Sequence, residues 1–239
     1  MKLSPNFFFL GWWLATQCWT SRGQTPPKAF ISISPSAMVA LGEKVTILCS
    51  SEDEFHGEFY LTRQENSSDG GTTPGVKQAE YKKAEFSLTN LSPSNGGIYS
   101  CRSHLPEGNQ FSPLSNKIYL NLTDPSLTKP SIQIINEDKD APEANISIRC
   151  NGTKEDLTFA LLKSREQIAY KAAEPEEKAV DIFLHQTSLE ETQSYTCQYH
   201  HKSRPFVWSE PSDPLELSWG DSKTIKPTPE TIPGGSNVS

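Results

Sequence analysis

The chain has 239 residues, a formal net charge of −7, 35% hydrophobic residues and 21% charged residues. That length suits two domains of roughly 100 residues each with short ends, and an acidic chain without a basic stripe excludes nucleic acid as a partner. No Gly-rich phosphate loop, HExxH or GxSxG occurs, and Glu174, Glu176 and Glu177 form a solvated run rather than a carboxylate pair. No catalytic residue and no cofactor is therefore expected, and the chain does not read as an enzyme.

Residues 1–23 read as a secretory signal. Lys2 is the charged start, Phe7-Phe8-Phe9-Leu10-Gly11-Trp12-Trp13-Leu14 the apolar centre and Ser21-Arg22-Gly23 the small-x-small exit. The run is too short to span a bilayer. Removing this segment takes away Lys2 and Arg22, its only charges, and shifts the formal charge from −7 to −9.

The first domain, residues 24–123, opens on the proline-stiffened Pro27-Lys28-Ala29-Phe30-Ile31. In Val45-Thr46-Ile47-Leu48-Cys49 every second residue is apolar and the cysteine falls on that same face, as in a half-buried strand. Phe59-Tyr60-Leu61-Thr62 is the third strand. The stretch from Gln64 to Lys77, rich in Gly and Ser, is expected as a loop. Ala84-Glu85-Phe86-Ser87-Leu88 follows, then Tyr99-Ser100-Cys101, and Phe111 to Leu120 is expected as the closing strand. Asn121 to Lys129 contains Asp124-Pro125 but no Gly run, which predicts a short, stiff junction and a fixed bend.

Residues 124–219 repeat the pattern. Lys129-Pro130-Ser131-Ile132 opens the copy, Ile146-Ser147-Ile148-Arg149-Cys150 alternates, and Phe159-Ala160-Leu161-Leu162 is the third strand. Ala172 to Glu177 is expected as a flanking loop. Val180-Asp181-Ile182-Phe183-Leu184 lies over Ala84–Leu88 when the copies are aligned on Cys101 and Cys197, and Tyr195-Thr196-Cys197 and the closing Trp208 to Leu217 complete it. Residues 220–239, including Lys226-Pro227-Thr228-Pro229-Glu230, lack apolar periodicity and read as a stalk. No apolar segment follows it, so neither a membrane helix nor a lipid-anchor tail is expected in this chain.

Of the five cysteines, Cys18 leaves with the signal. The remaining four allow three pairings, and the repeat favours Cys49 with Cys101 and Cys150 with Cys197. Such bridges require an oxidising compartment. Six sequons, at Asn66, Asn90, Asn121, Asn145, Asn151 and Asn237, support the same extracellular address as expected glycosylation sites.

An alternating strand ending in cysteine, followed by Tyr-x-Cys about fifty residues later, is the signature of the immunoglobulin sandwich. Tyr99 and Tyr195 take the tyrosine-corner position. Neither third strand carries the Trp of antibody-type domains, and the intercysteine spacing leaves little room for two extra strands. The expected fold is all-β, two tandem C2-type immunoglobulin-like β-sandwiches of seven strands with a bent interdomain junction.

Trp208-Ser209-Glu210-Pro211-Ser212-Asp213-Pro214-Leu215-Glu216-Leu217 after Tyr195-Thr196-Cys197-Gln198-Tyr199, with Lys129-Pro130-Ser131 and Phe159-Ala160-Leu161-Leu162-Lys163, resembles the leukocyte-receptor-complex immunoglobulin-like receptors. The resemblance covers nearly all of Pro27 to Leu217. It implies a ligand-binding ectodomain on leukocytes that recognises collagen, MHC class I or immunoglobulin. It also implies a signalling adaptor as partner where a longer membrane-bound form exists. Trp208 is implied to pack within the second domain. The alternative from another class is a constitutively secreted plasma protein that inhibits or carries other secreted proteins. In the loop Tyr199-His200-His201-Lys202-Ser203-Arg204-Pro205-Phe206, basic and aromatic residues concentrate in an otherwise acidic chain. Tyr199, His201, Lys202, Arg204 and Phe206 are candidate ligand contacts on that ground, with an exposed loop of incidental charge as the alternative. The adjacent His200 and His201 alternate across a strand and do not suggest a metal.

Overall fold

The computed structural model describes residues 25–64, 71–138, 144–186 and 193–217. They divide into two compact units. One holds the described residues of Met1–Ala37, Lys44–Thr89 and Gly97–Leu120, and the other those of Met38–Glu43, Asn90–Gly96 and Asn121–Ser239.

In chain order the strands begin with β1 (Phe30–Ser34), β2 (Met38–Ala40), β3 (Val45–Ser50), β4 (Glu58–Gln64), β5 (Thr72–Gln78), β6 (Lys83–Leu88), β7 (Gly97–Leu105), β8 (Gln110–Phe111) and β9 (Ile118–Thr123). They continue with β10 (Ser131–Asp138), β11 (Ala144–Asn151), β12 (Leu157–Lys163), β13 (Glu166–Ala172), β14 (Ala179–Gln186), β15 (Gln193–His201), β16 (Val207–Trp208) and β17 (Leu215–Leu217). The described residues contain no α-helix.

In the first unit the sheet β1-β3-β6 faces β5-β4-β7-β9, which makes the seven-stranded sandwich that the short intercysteine spacing predicts. The alternation in β3 buries Val45, Ile47 and Cys49, and Cys49 crosses the sandwich to Cys101 on β7. The second unit repeats the plan, with β10-β11-β14 against β13-β12-β15-β17 and Cys150 joined to Cys197. Its core gathers Ile148, Leu157, Phe159, Ile182, Tyr195 and Leu217 around that bridge. Phe59 and Phe159, both fully buried, fill the third-strand position where antibody-type domains place Trp. The corner tyrosines Tyr99 and Tyr195 are also buried.

Two expectations change. Of the stretch from Gln64 to Lys77, expected as a loop, Gln64 closes β4 and Thr72–Lys77 lie in β5, which pairs antiparallel with β4 through Tyr60↔Val76 and Phe59↔Lys77. β5 is exposed along nearly its whole length, so it carries no period-two signal, and its Gly75 lets the backbone cross over Phe86, whose ring carbons lie 3.0 Å from where a β-carbon would sit. The closing strand is broken in both units: β8 and β9 flank residues 112–117, and β16 and β17 flank 209–214. Pro113, Pro211 and Pro214 lie in these breaks, where they have no N–H to give a ladder.

The C-terminal residues of β9 belong to the second unit. Asn121–Thr123 lie between β2 and β16 and run parallel to both, with Leu122 N–H donating to the Phe206 carbonyl at 2.8 Å and Leu41 N–H to the Thr123 carbonyl at 3.0 Å.

Candidate ligand-binding faces

Because side chains alternate across a strand, the register that buries Phe59, Leu61 and Cys101 turns Glu58, Tyr60, Arg102 and His104 to the opposite face. Glu58 pairs with His104, Tyr60 with Arg102, and His104 with Phe111 on β8. The rings close into one cluster. His104 stacks on Phe111 at 4.2 Å between centroids, and Tyr60 meets both edge-on at 5.3 and 5.2 Å.

Polar bonds fix the cluster. His104 Nδ1 lies 3.1 Å from Glu58 Oε2 and Nε2 lies 3.1 Å from Asn109 Oδ1, the latter on a left-handed turn. Tyr60 donates its hydroxyl to Glu58 Oε2 and Gln78 donates to Oε1. Burial, and after it the Glu58 carboxylate, hold the Tyr60 phenol above its usual pKa. Glu58 is thus committed to three neighbours. Arg102 is not paired with it: the guanidinium lies 4.1 Å from the Phe111 centroid and 5.7 Å from Tyr60, and its buried Nε has no hydrogen-bond partner among the described residues. A cation stacked on aromatic rings beside partly exposed Phe111 combines the groups that interfaces favour.

The second unit carries a related cluster. His200 occupies the same place relative to Cys197 as His104 does to Cys101, and it pairs with Trp208 as His104 pairs with Phe111. Trp208 meets His200 edge-on at 4.6 Å and is buried. His200 Nδ1 faces the His201 carbonyl at 2.9 Å, and a carbonyl only accepts, so Nδ1 carries the proton. Nε2 then accepts the Tyr170 hydroxyl at 2.6 Å. Burial pushes the His200 pKa down, partly opposed by the bond to the His201 carbonyl. Tyr170, on β13, remains 56% exposed.

The loop singled out in the sequence does not act as one patch. Tyr199 is a correction: it is a core residue, tilted against Phe159 at 5.8 Å with its hydroxyl donating to the Thr128 carbonyl at 2.8 Å, because its position on β15 points inward. Lys202 donates to the Ala173 carbonyl at 3.0 Å and lies 3.8 Å from Asp156. His201 is bonded to Ser203 at 2.7 Å. Phe206 is half-buried beside Gly96, where an added methyl would come within 2.7 Å of it. Arg204 stands exposed. Among the sequons, Asn90 and Asn151 are exposed, Asn121 is half-buried, and Asn145 lies on β11, while Asn66 and Asn237 fall outside the described residues.

Sequence reasoning missed Tyr60, Arg102 and Tyr170. The available signal was the histidine three residues past each second cysteine, followed by Phe111 and Trp208 seven and eight residues later.

No protein-family model matches the chain. It is 31% identical over 206 residues to immunoglobulin superfamily member 1 of Homo sapiens, covering 85% of this chain and 15% of that protein, so the chain spans a small part of that relative. To the osteoclast-associated immunoglobulin-like receptor of Mus musculus it is 30% identical over 202 residues, covering 83% of this chain and 73% of the receptor. The solved human OSCAR ligand-binding domain aligns at 25% identity over 81% of this chain and 100% of its own, with a TM-score of 0.43. No helix of the described residues is long and apolar enough to cross a membrane. With two disulfide-pinned immunoglobulin-type sandwiches and 30% identity to the osteoclast-associated immunoglobulin-like receptor over 73% of its length, the chain belongs to the leukocyte-receptor-complex immunoglobulin-like receptor family.

Proposed function

We propose that the chain is the ligand-binding ectodomain of an immune-cell receptor that works outside the cell, and that the Tyr60–Arg102–His104–Phe111 face meets an extracellular protein such as collagen or MHC class I. The observation that carries the reading is Arg102. Its guanidinium is held over Phe111, its buried Nε is unsatisfied, and the nearest carboxylate in the cluster, Glu58, is bonded to His104, Tyr60 and Gln78. An arginine so placed suits a ligand carboxylate, while Phe111 and Tyr60 offer flat apolar surface to a proline-rich or aliphatic neighbour. A triple helix presents both, as polyproline II strands with regularly spaced charges. The paired cysteines support the extracellular address.

The test is surface-plasmon binding of the purified ectodomain to triple-helical collagen peptides and to MHC class I. The variant Arg102→Glu with Phe111→Ala should lose at least tenfold in affinity for whichever ligand binds, with an unchanged melting temperature. Full retention of binding by that variant refutes the assignment of this face.

A further inference from the structure

We propose that the ligand crosses the strands of the Tyr60–Arg102–Phe111 face as an extended polyproline II strand, with an apolar residue on Val76 and Tyr60 and a carboxylate one turn further along on Arg102. The inference rests on the assignment of that face and adds Val76 and the spacing to it. Val76 lies on β5, at the edge of the sheet, and pairs with Tyr60 on β4, which pairs in turn with Arg102 on β7. Cross-strand partners share a face, so Val76, Tyr60 and Arg102 form one row across three neighbouring strands.

The row is narrow. Val76 is 43% exposed at one end, and at the other Phe111 is 37% exposed with the Arg102 guanidinium 4.1 Å from its centroid. On one side runs the polar row Gln78–Glu58–His104, in which Glu58 bonds to both neighbours at 3.1 Å. On the other side Thr62 pairs with Ser100, which is buried. Polar or small side chains thus flank an apolar strip about one residue wide. Such a strip fits an extended strand, whereas a stable interface between two globular surfaces takes about 20–30 residues a side.

The spacing selects the ligand. Adjacent strands lie about 4.8 Å apart, so Val76 and Arg102, two strands from each other, are separated by about 10 Å. A polyproline II strand advances about 3.1 Å per residue with three residues per turn, so side chains on one of its faces recur about every 9 Å. The match sets residue i against Val76 and Tyr60, where a proline ring packs on the phenol, and residue i+3 beside Arg102. That arginine is stacked on Phe111 and its Nε has no hydrogen-bond partner among the described residues, so a carboxylate at i+3 meets a cation already held in place. A strand running the opposite way meets the same two groups with its carboxylate at i−3.

Surface-plasmon binding of triple-helical Gly-Pro-Pro peptides to the secreted chain tests it. A peptide with one Gly-Glu-Pro triplet should bind the parent at least tenfold tighter than its Gly-Gln-Pro counterpart. Val76→Arg, on an exposed strand position, places a second cation at the other end of the row. This variant should prefer two glutamates three residues apart to two glutamates six apart by several-fold, a preference the parent lacks, with the melting temperature as the check on folding. The same guests in single chains too short to trimerise report whether one strand is enough. The three-residue preference in either form supports the proposal, and its absence from both overturns it. Arg102→Glu with Phe111→Ala reports separately on the face. If that variant loses the peptides but Val76→Arg shows no spacing preference, the face stands and the crossing falls. If MHC class I binds through the face and no peptide does, the face again stands and the polyproline ligand falls. Peptide binding that survives the double variant overturns both.

Discussion

Ser212 closes both backbone valences of Cys197: its hydroxyl oxygen accepts the Cys197 N–H at 2.9 Å and its own N–H donates to the Cys197 carbonyl at 2.8 Å. Ser115 does the same for Cys101 at 2.9 and 2.7 Å. Ser112 with Ser103, and Ser209 with Tyr199, repeat the arrangement three residues earlier. The broken closing strand thus stays stitched to its neighbour by serine hydroxyls standing in for carbonyls.

Replacing Ser212 with Ala should therefore leave the buried Cys197 N–H unpaired and cost about 1–3 kcal/mol, with a similar loss for Ser115→Ala in the other unit. Urea unfolding followed by tryptophan fluorescence and circular dichroism measures it. A loss near zero for both would show that these hydroxyls are dispensable.

The bridges close loops of 52 and 47 residues. In the chain-entropy model each contributes about 4 kcal/mol, mostly by restricting the unfolded chain. Replacing Cys49 and Cys101 together by Ala should lower the unfolding free energy by about that amount and leave the second unit's transition in place. An unaltered first transition contradicts the estimate.

His200 gives a pH dependence of definite sign. Its folded pKa is held below the ordinary value by burial, so below about pH 6.5 the unfolded chain takes up the proton more readily than the folded one. Stability should accordingly decline as pH falls from about 6.5 toward the folded pKa, and His200→Gln should flatten that part of the profile. Melting temperatures between pH 7.5 and 5 provide the check. Parallel profiles for parent and variant would assign the acid sensitivity elsewhere.

Arg149 grips Asp181 with two bonds, Nε to Oδ1 at 2.6 Å and Nη2 to Oδ2 at 2.8 Å, and this holds the Asp181 carboxyl below its usual pKa. The stability it contributes is present above the unfolded value and is lost as pH falls through the folded one, in a window below about pH 4. Both side chains are about a third or more exposed, so solvent screening leaves the pair only a small contribution at neutral pH. Asp181→Asn should lower the melting temperature by no more than a degree or two, a difference that vanishes in strong acid. A drop several times larger would mean that the pair supports more than itself.

Sequence legibility followed the physics of each element. β3 and β11 were readable because one face of each is buried and the apolar period of two is local. β5 was not, since it is exposed along nearly its whole length and its residues satisfy no periodic demand. Tyr199 misled because it is an aromatic residue next to a basic loop, and only its inward register on β15 reveals a core side chain. The Tyr60–Arg102–Phe111 face was invisible for the opposite reason. Tyr60 on β4 is far along the chain from Arg102 on β7 and Phe111 on β8, and individually each reads as an ordinary strand or loop residue.

The amino-acid sequence by itself determined the two immunoglobulin-type sandwiches and their cysteine partners, because covalent spacing and alternating burial are properties of contiguous chain. The tertiary structure alone decided which aromatic and cationic side chains meet. That depends on which strands lie side by side and in what register, which brings residues distant in sequence onto one face.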